Sequence, residues 1–360
     1  MSTTAEAPSD APQSPPDADE RLAGSHRLAR VLRRPEVGAA VAALVIFIFF
    51  SVTTDAFLTP GGVSTWLFTA SSFGIMAVAV ALLMIGGEFD LSAGAMWGTT
   101  GLTTGILMTH YHTNVWLAIL ASLALAVAIG FLNGFLVMWT GLPSFIVTLG
   151  TFFVLRGVNL AVTKRLINEV SVTGLLDAKG FDSGKHLFGS SIRIDLGGAL
   201  PLTVFAVTWW WIAVSAVATW VLLRTRAGNW IFAIGGAQTS ARQVGVPVFQ
   251  TKVGLFITTA VAGWLVGMLS LFKTTTVQST FGVGQEFIFI ICAVVGGCLL
   301  TGGYGSVIGT FFGAAMLGMV QLGIIDSQWD SNWTYAFQGA ILFGAVMLNT
   351  VVRNRAQRAR

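Results

Sequence analysis

Charge is scarce in this chain. Of its 360 residues only 10% are Asp, Glu, Lys or Arg, whereas 54% are hydrophobic; soluble domains carry about a quarter charged residues. That shortage excludes one large soluble core, because soluble helices keep a polar stripe. Cysteine is limited to Cys292 and Cys298, too few for a metal site and badly spaced along one helix for a disulfide. Histidine is limited to His26, His110, His112 and His186, all in expected links or tails, where a solvated loop is the reading. The phosphate-cradling pattern G-x-x-x-x-G-K-[ST] is missing, as are the zinc pattern H-E-x-x-H and the nucleophile elbow G-x-S-x-G. Gly184-Lys185-His186 comes nearest to the first and lacks its Ser or Thr. The net charge of +4 does not argue for nucleic acid, because the basic residues sit at the ends of apolar segments.

What the chain has is apolar blocks of about 17 to 25 residues, the length of a bilayer-spanning helix. The expected fold is all-α and polytopic, with about ten spans near 37–53, 65–86, 92–108, 115–139, 144–163, 202–223, 253–272, 285–300, 306–324 and 334–351, several of them broken. Residues 1–36 read as a disordered cytoplasmic tail, 37–351 as the transmembrane domain and 352–360 as a basic tail. Arginines in the N-terminal segment, in the 224–252 link and in the tail place these three on the cytoplasmic side. The 164–201 loop then lies outside, against its own five basic residues. Trp116, Trp139, Trp329 and Trp333 mark span ends. Trp209, Trp210 and Trp211 lie deep in a span and read first as lipid-facing bulk, with a groove lining as the alternative. Gly94 and Gly98 match Gly309 and Gly313 at an offset of 215, which suggests a parallel internal repeat.

Four segments carry the mechanism. In GGEFDLSAGAMWG (86–98), Gly86 and Gly87 break a helix. Asp90 is placed to cap the next one and to line a polar break, with Ser92 and Gly94 in its first turn. In residues 130–159, Asn133 is an intramembrane amide, either an interhelical bond or a path residue. Arg156 lies deep in a span and reads as a structural clamp ahead of a solute contact. In the 224–252 link, a short helix over Gln238, Ser240, Ala241 and Arg242, bounded by Gly235–Gly236 and Gly245, suits a peg docked in a partner; a plain solvated loop fits equally well. In residues 282–318, Glu286 opens a span that Gly296–Gly297 and Thr301-Gly302-Gly303 break. A proton-driven carrier needs paired acids and bases deep in its helices, and an ion-coupled secondary transporter of a small polar solute is the alternative reading.

Together these segments resemble the ribose/xylose/galactose-type permeases of ATP-binding-cassette importers. The resemblance runs over roughly residues 40–350. It rests on Gly87 with Asp90-Leu91-Ser92-Ala93-Gly94, Asn133-Gly134, Leu142-Pro143, Phe145 through Gly150 including Thr148, and Arg156-Gly157. It continues with Ala233 through Gly236, Ala241 and Gly245, then Glu286, Gly296–Gly297, Gly302–Gly303 and Gly305-Ser306. Glu88, Ala237 and Gln321 depart from the family pattern. The resemblance implies a non-enzymatic transport subunit of the bacterial inner membrane, with cytoplasmic termini, that forms the path for a sugar or sugar-like solute. It holds no cofactor itself; ATP and Mg belong to a separate ATPase subunit. An extracytoplasmic binding protein delivers solute, a second permease copy completes a dimer, and residues 235–245 form the coupling helix. Path or motif residues are then Asp90, Ser92, Gly94, Asn133, Phe145, Thr148, Arg156, Glu286, Gly297 and Thr301.

Overall fold

The computed structural model describes residues 35–195, 201–330 and 332–358, with side chains described no further than Met347. The N-terminal tail through residue 34, with its five arginines, lies outside the described residues. Twelve α-helices are described: α1 (Pro35–Thr53), α2 (Pro60–Ile85), α3 (Ala93–Thr109), α4 (Val115–Thr140), α5 (Ser144–Ile167), α6 (Phe181–Phe188), α7 (Ala206–Arg224), α8 (Arg226–Gln243), α9 (Val248–Thr274), α10 (Glu286–Val295), α11 (Val307–Asp326) and α12 (Trp333–Arg358). The protein is an all-α polytopic membrane protein, and each expected span has a helix. By length and composition seven are able to cross a membrane: α1, α2, α4, α5, α7, α9 and α11. α3 has 17 residues rich in Gly and Thr, and α10 has ten, about 15 Å at the α-helical rise and half of a bilayer core. The boundary expected at 351 is not a break, since α12 runs on to Arg358.

Helix ends follow the sequence chemistry. Thr59, Asn114, Thr225 and Ser306 each cap a helix by accepting a backbone N–H. α4 ends at Gly141 and α5 at Asn168, both left-handed, as such caps commonly are. α2 is the central helix: Ala70 through Ile85 are all buried, and α7, α9, α10 and α11 pack around it. A helix apolar on every side requires that position. α3 runs parallel to α9, with Gly263 against Met96 and Gly267 against Thr100 and Trp97. On α11, Gly309 meets the Gly296 carbonyl and Gly313 the Cys292 carbonyl of the half-length helix, the close approach that small residues permit. The offset of 215 thus pairs glycines that pack differently. Gly94 and Gly98 of α3 face the irregular stretch 281–286 instead of a helix.

The 164–201 segment is more ordered than an outer loop. Strand β1 (Ser171–Val172) pairs antiparallel with β4 (Val277–Gln278), and β2 (Ser191–Ile194) pairs with β3 (Leu202–Phe205). Between β1 and β2 lies α6, whose buried Phe181 and Phe188 pack on Phe272 of α9, Phe188 stacked on its ring and Phe181 tilted to it. The cap is therefore pinned to the end of α9. The tryptophan triplet divides three ways. Trp209 is exposed, Trp210 donates to the Leu187 carbonyl and stacks on Phe188, and Trp211 is buried, stacked on Phe311 at 3.9 Å with its indole N–H edge against Gly74. Of the three, Trp209 alone has the exposure that lipid-facing bulk needs.

Candidate functional site

α2 ends at Gly86, and Gly87 follows with φ +83°, a conformation that favours glycine. From there residues 88–92 run irregularly to α3. Asp90 does not form the cap itself: Ser92 is the N-cap residue and its side chain caps nothing. Instead one Asp90 carboxylate oxygen accepts from the Ser92 amide at 2.8 Å and from the Ser92 hydroxyl at 2.6 Å. The carboxylate still lies at the positive end of α3, where an anion is favoured. Its second oxygen, Oδ2, is buried and has no partner.

Around this break the neighbouring helices supply polar groups. Asn133 of α4 donates to the Ser92 hydroxyl at 2.9 Å, and its own oxygen accepts from Thr151 of α5 at 2.7 Å. Thr148 accepts from the Leu91 amide and Ser144 from the Phe89 amide, each at 3.0 Å. Higher on α5, Asn159 donates to Thr99 of α3 at 3.1 Å. The structure thus gathers the expected Asp90, Ser92, Asn133 and Thr148 into one cluster. It adds Ser144, Thr151 and Asn159, which recur with Thr148 along one face of α5, Thr151 half-buried and the others buried. Phe145 points away and is half exposed.

A second group surrounds α10. Glu286, almost fully buried, lies beside Gly94 and accepts from the Gly284 amide at 3.0 Å. Arg156 is on the exposed side of α5, close enough to Glu286 for its charge to act on that carboxylate. Past α10 the chain turns through Gly297, Gly302 and Gly303, all with positive φ. Thr301 in that turn is exposed.

The third group is the joint between these breaks and the 224–252 link. The Gly303 amide donates to the Ile85 carbonyl at 2.8 Å. Gly235 is packed against that carbonyl and against Gly303, Gly302 touches Gly87, and Gly303 touches Gly236. A side chain at Gly235, Gly302 or Gly303 would run into backbone, so both helix breaks and the link meet backbone to backbone. Gly235 is therefore a packed contact and not a loose joint, although Gly236 has open space beside it. The bend falls one residue later, at Ala237 (φ −157°, ψ 86°), inside α8. Beyond it Ser240 and Arg242 are exposed, whereas Ala241 is buried with Ile234 and Val248. Gly245 (φ +84°) turns the chain toward α9 with open space around it.

One residue of this joint was not foreseen. Lys252 of α9 is only 4% exposed. Its ammonium is paired with the Glu88 carboxylate and bonds the Gln238 side-chain oxygen at 2.6 Å. Glu88, which has no opposite charge near it in sequence, finds one across 164 positions.

Comparison with known proteins places this arrangement. The ribose import permease protein RbsC of Escherichia coli K12 is 30% identical over 87% of this chain and 93% of its own length. The inner membrane ABC transporter permease protein YjfF of the same strain is 32% identical over 75% of this chain and 78% of its own. The xylose transport system permease protein XylH of that strain is 28% identical over 89% and 93%. No solved structure matches. Residues 62–346 match the family described as branched-chain amino acid transport system / permease component, and this chain belongs to that family of transport permeases.

Proposed function

We propose that this chain forms the membrane path of an importer for a sugar or sugar-like polar solute, driven by a separate ATPase subunit and fed by an extracytoplasmic binding protein. The observation that carries this reading is the near end-to-end similarity to permeases named for ribose and xylose import. The family's own description names branched-chain amino acids. The relatives named for ribose and xylose match 87% and 89% of this chain, and the polar cluster of Asp90, Ser92, Asn133 and Thr151 suits hydroxyl groups better than an aliphatic side chain. In this reading the chain sits in the bacterial inner membrane with the ten span helices, all but α6 and α8, crossing or entering it and both termini cytoplasmic. Two copies flank one path. The bent end of α8 docks the ATPase, and ATP-driven movement there opens and closes the path; ATP and Mg stay on the ATPase.

The test is uptake into vesicles of labelled ribose, xylose, allose and leucine. Uptake of one of the sugars should require ATP, the ATPase and the binding protein together. Accumulation driven by a proton gradient alone would refute the reading, and uptake of leucine in place of sugar would move the solute class to that of the family's description.

A further inference from the structure

The Lys252 triad is unexplained by the path and by packing. A lysine five residues into α9, near the end of its span, would ordinarily extend outward to water. Here it turns inward and is almost fully buried between a carboxylate and an amide that come from two different segments. Glu88 belongs to the α2–α3 break, two residues before Asp90. Gln238 is the first residue after the Ala237 bend, so it moves with the exposed end of α8. Lys252 thus connects the end of α8 that faces outward to the break that holds Ser92 and, through Asn133, helices α4 and α5.

We propose that Lys252 is a positioning residue that transmits movement of the bent end of α8 to the Asp90 break, with Gln238 as its receiving contact and Glu88 as its delivering one. This rests on the reading that α8 docks the ATPase. The triad suits the task because it crosses the glycine joint beside a contact that is otherwise only backbone. Movement of Gln238 removes one of two partners from a buried cation, and the cation must then shift relative to Glu88 or leave it. A charge pair that is already neutralised also needs no proton from either side.

The experiment uses the complete transporter in proteoliposomes, with permease, ATPase and binding protein, and measures solute imported per ATP hydrolysed. Gln238→Leu should lower the ratio about fivefold or more, taken per ATPase bound, with the KM for solute unchanged. Gln238→Glu, which keeps an acceptor for Lys252, should restore most of it. Glu88→Gln with Lys252→Met removes both buried charges together, so neither is left alone; it should assemble and hydrolyse ATP with the same low ratio. A ratio equal to that of the unaltered protein in both Gln238→Leu and the double variant overturns the proposal, whatever their melting temperatures. A second arm uses the purified permease alone and does not depend on ATP: Gln238→Leu should speed hydrogen exchange at amides 87–92, and unchanged exchange there overturns the proposal as well. If the unaltered permease imports solute without its ATPase, the functional reading fails, while the exchange arm still tests the connection itself.

Discussion

Asn133 joins two helices to the break by spending both ends of one amide: it donates to Ser92 and accepts from Thr151. Asn133→Leu removes both bonds and leaves the buried Asp90–Ser92 pair short of one donor. A buried polar group without its partner costs about 1–3 kcal/mol, so the variant should lose about that much stability and melt at a lower temperature in detergent. An unchanged melting temperature would show that the cluster is hydrated through the break. Glycines give a sharper contrast. A methyl group at Gly94 meets the Glu286 carboxylate and the Gly282 carbonyl, whereas Gly254 of α9 has open space. Gly94→Ala should therefore lower the melting temperature, while Gly254→Ala should raise stability by roughly 0.5–1 kcal/mol; equal effects at the two sites would contradict this packing. Asp90, Asn133 and Glu286 were legible in the sequence because a charge or amide inside an apolar run has no ordinary reason to be there. Asn159 carries that same amide signal and was missed, whereas Ser144 and Thr151 carry none. Ser and Thr in helices usually bond the carbonyl four residues back, as Thr148 also does, so composition does not tell which also reach across. Lys252 was hidden for another reason: it stands near a span end, where a basic residue is already explained by topology.

At the scale of elements, apolar length located all seven helices long enough to cross a membrane, and the shorter α3 and α10 besides. The half-length α10 was visible from Glu286 at its start and Gly296–Gly297 at its end. The cap formed by 164–205 was not, because β1 finds its partner β4 about a hundred residues later and two-residue strands carry no periodic signal. The bend in α8 was also misplaced. Two adjacent glycines read as a joint, yet Gly235 is glycine because the Ile85 carbonyl and Gly303 leave no room for a side chain. This changes which substitutions test docking. From sequence, bulk at Ala241 or Gly245 is expected to block the ATPase and leave folding intact. In the structure Ala241 is buried, so Ala241→Phe should lower stability by about 1–3 kcal/mol through overpacking, with lost docking as a consequence. Gly245 holds a positive φ that a side chain would strain. The clean probes are the exposed Ser240 and Arg242. Ser240→Trp and Arg242→Glu should each weaken co-purification of the ATPase with no change in melting temperature. Normal co-purification of both variants would remove the bent end of α8 from the docking surface.

At the scale of the whole molecule the exposed apolar surface is uneven. Around its buried centre, α1 and α5 expose most of their length, which lipid alone would satisfy for α1. It would not satisfy α5. Arg156 lies in the middle of that helix on its exposed side, beside Phe153, Val154, Gly157 and Val158, and Gly150 and Gly157 have open space next to them. A guanidinium facing hydrocarbon at that depth costs about 3 kcal/mol on insertion scales, and Glu286, an acid its charge acts on, is on the protein side and already bonded to the Gly284 amide. The cost disappears if this face of α5 borders water between two copies of the chain. Arg156 is then a charge at the edge of the path and not the buried clamp that the sequence suggested. Cys292 and Cys298 are buried, so single cysteines can report on this directly. Arg156→Cys should be modified by a membrane-impermeant thiol reagent in the assembled transporter, as should Tyr111→Cys, an exposed position in the turn between α3 and α4. Trapping the ATPase in its nucleotide-closed form should change the rate at Arg156→Cys and leave Tyr111→Cys unaffected, because only the former borders a passage that the ATPase opens and shuts. A transporter in which position 111 reacts and position 156 stays inert in both states would place α5 against lipid or protein, and the path would have to run along another face.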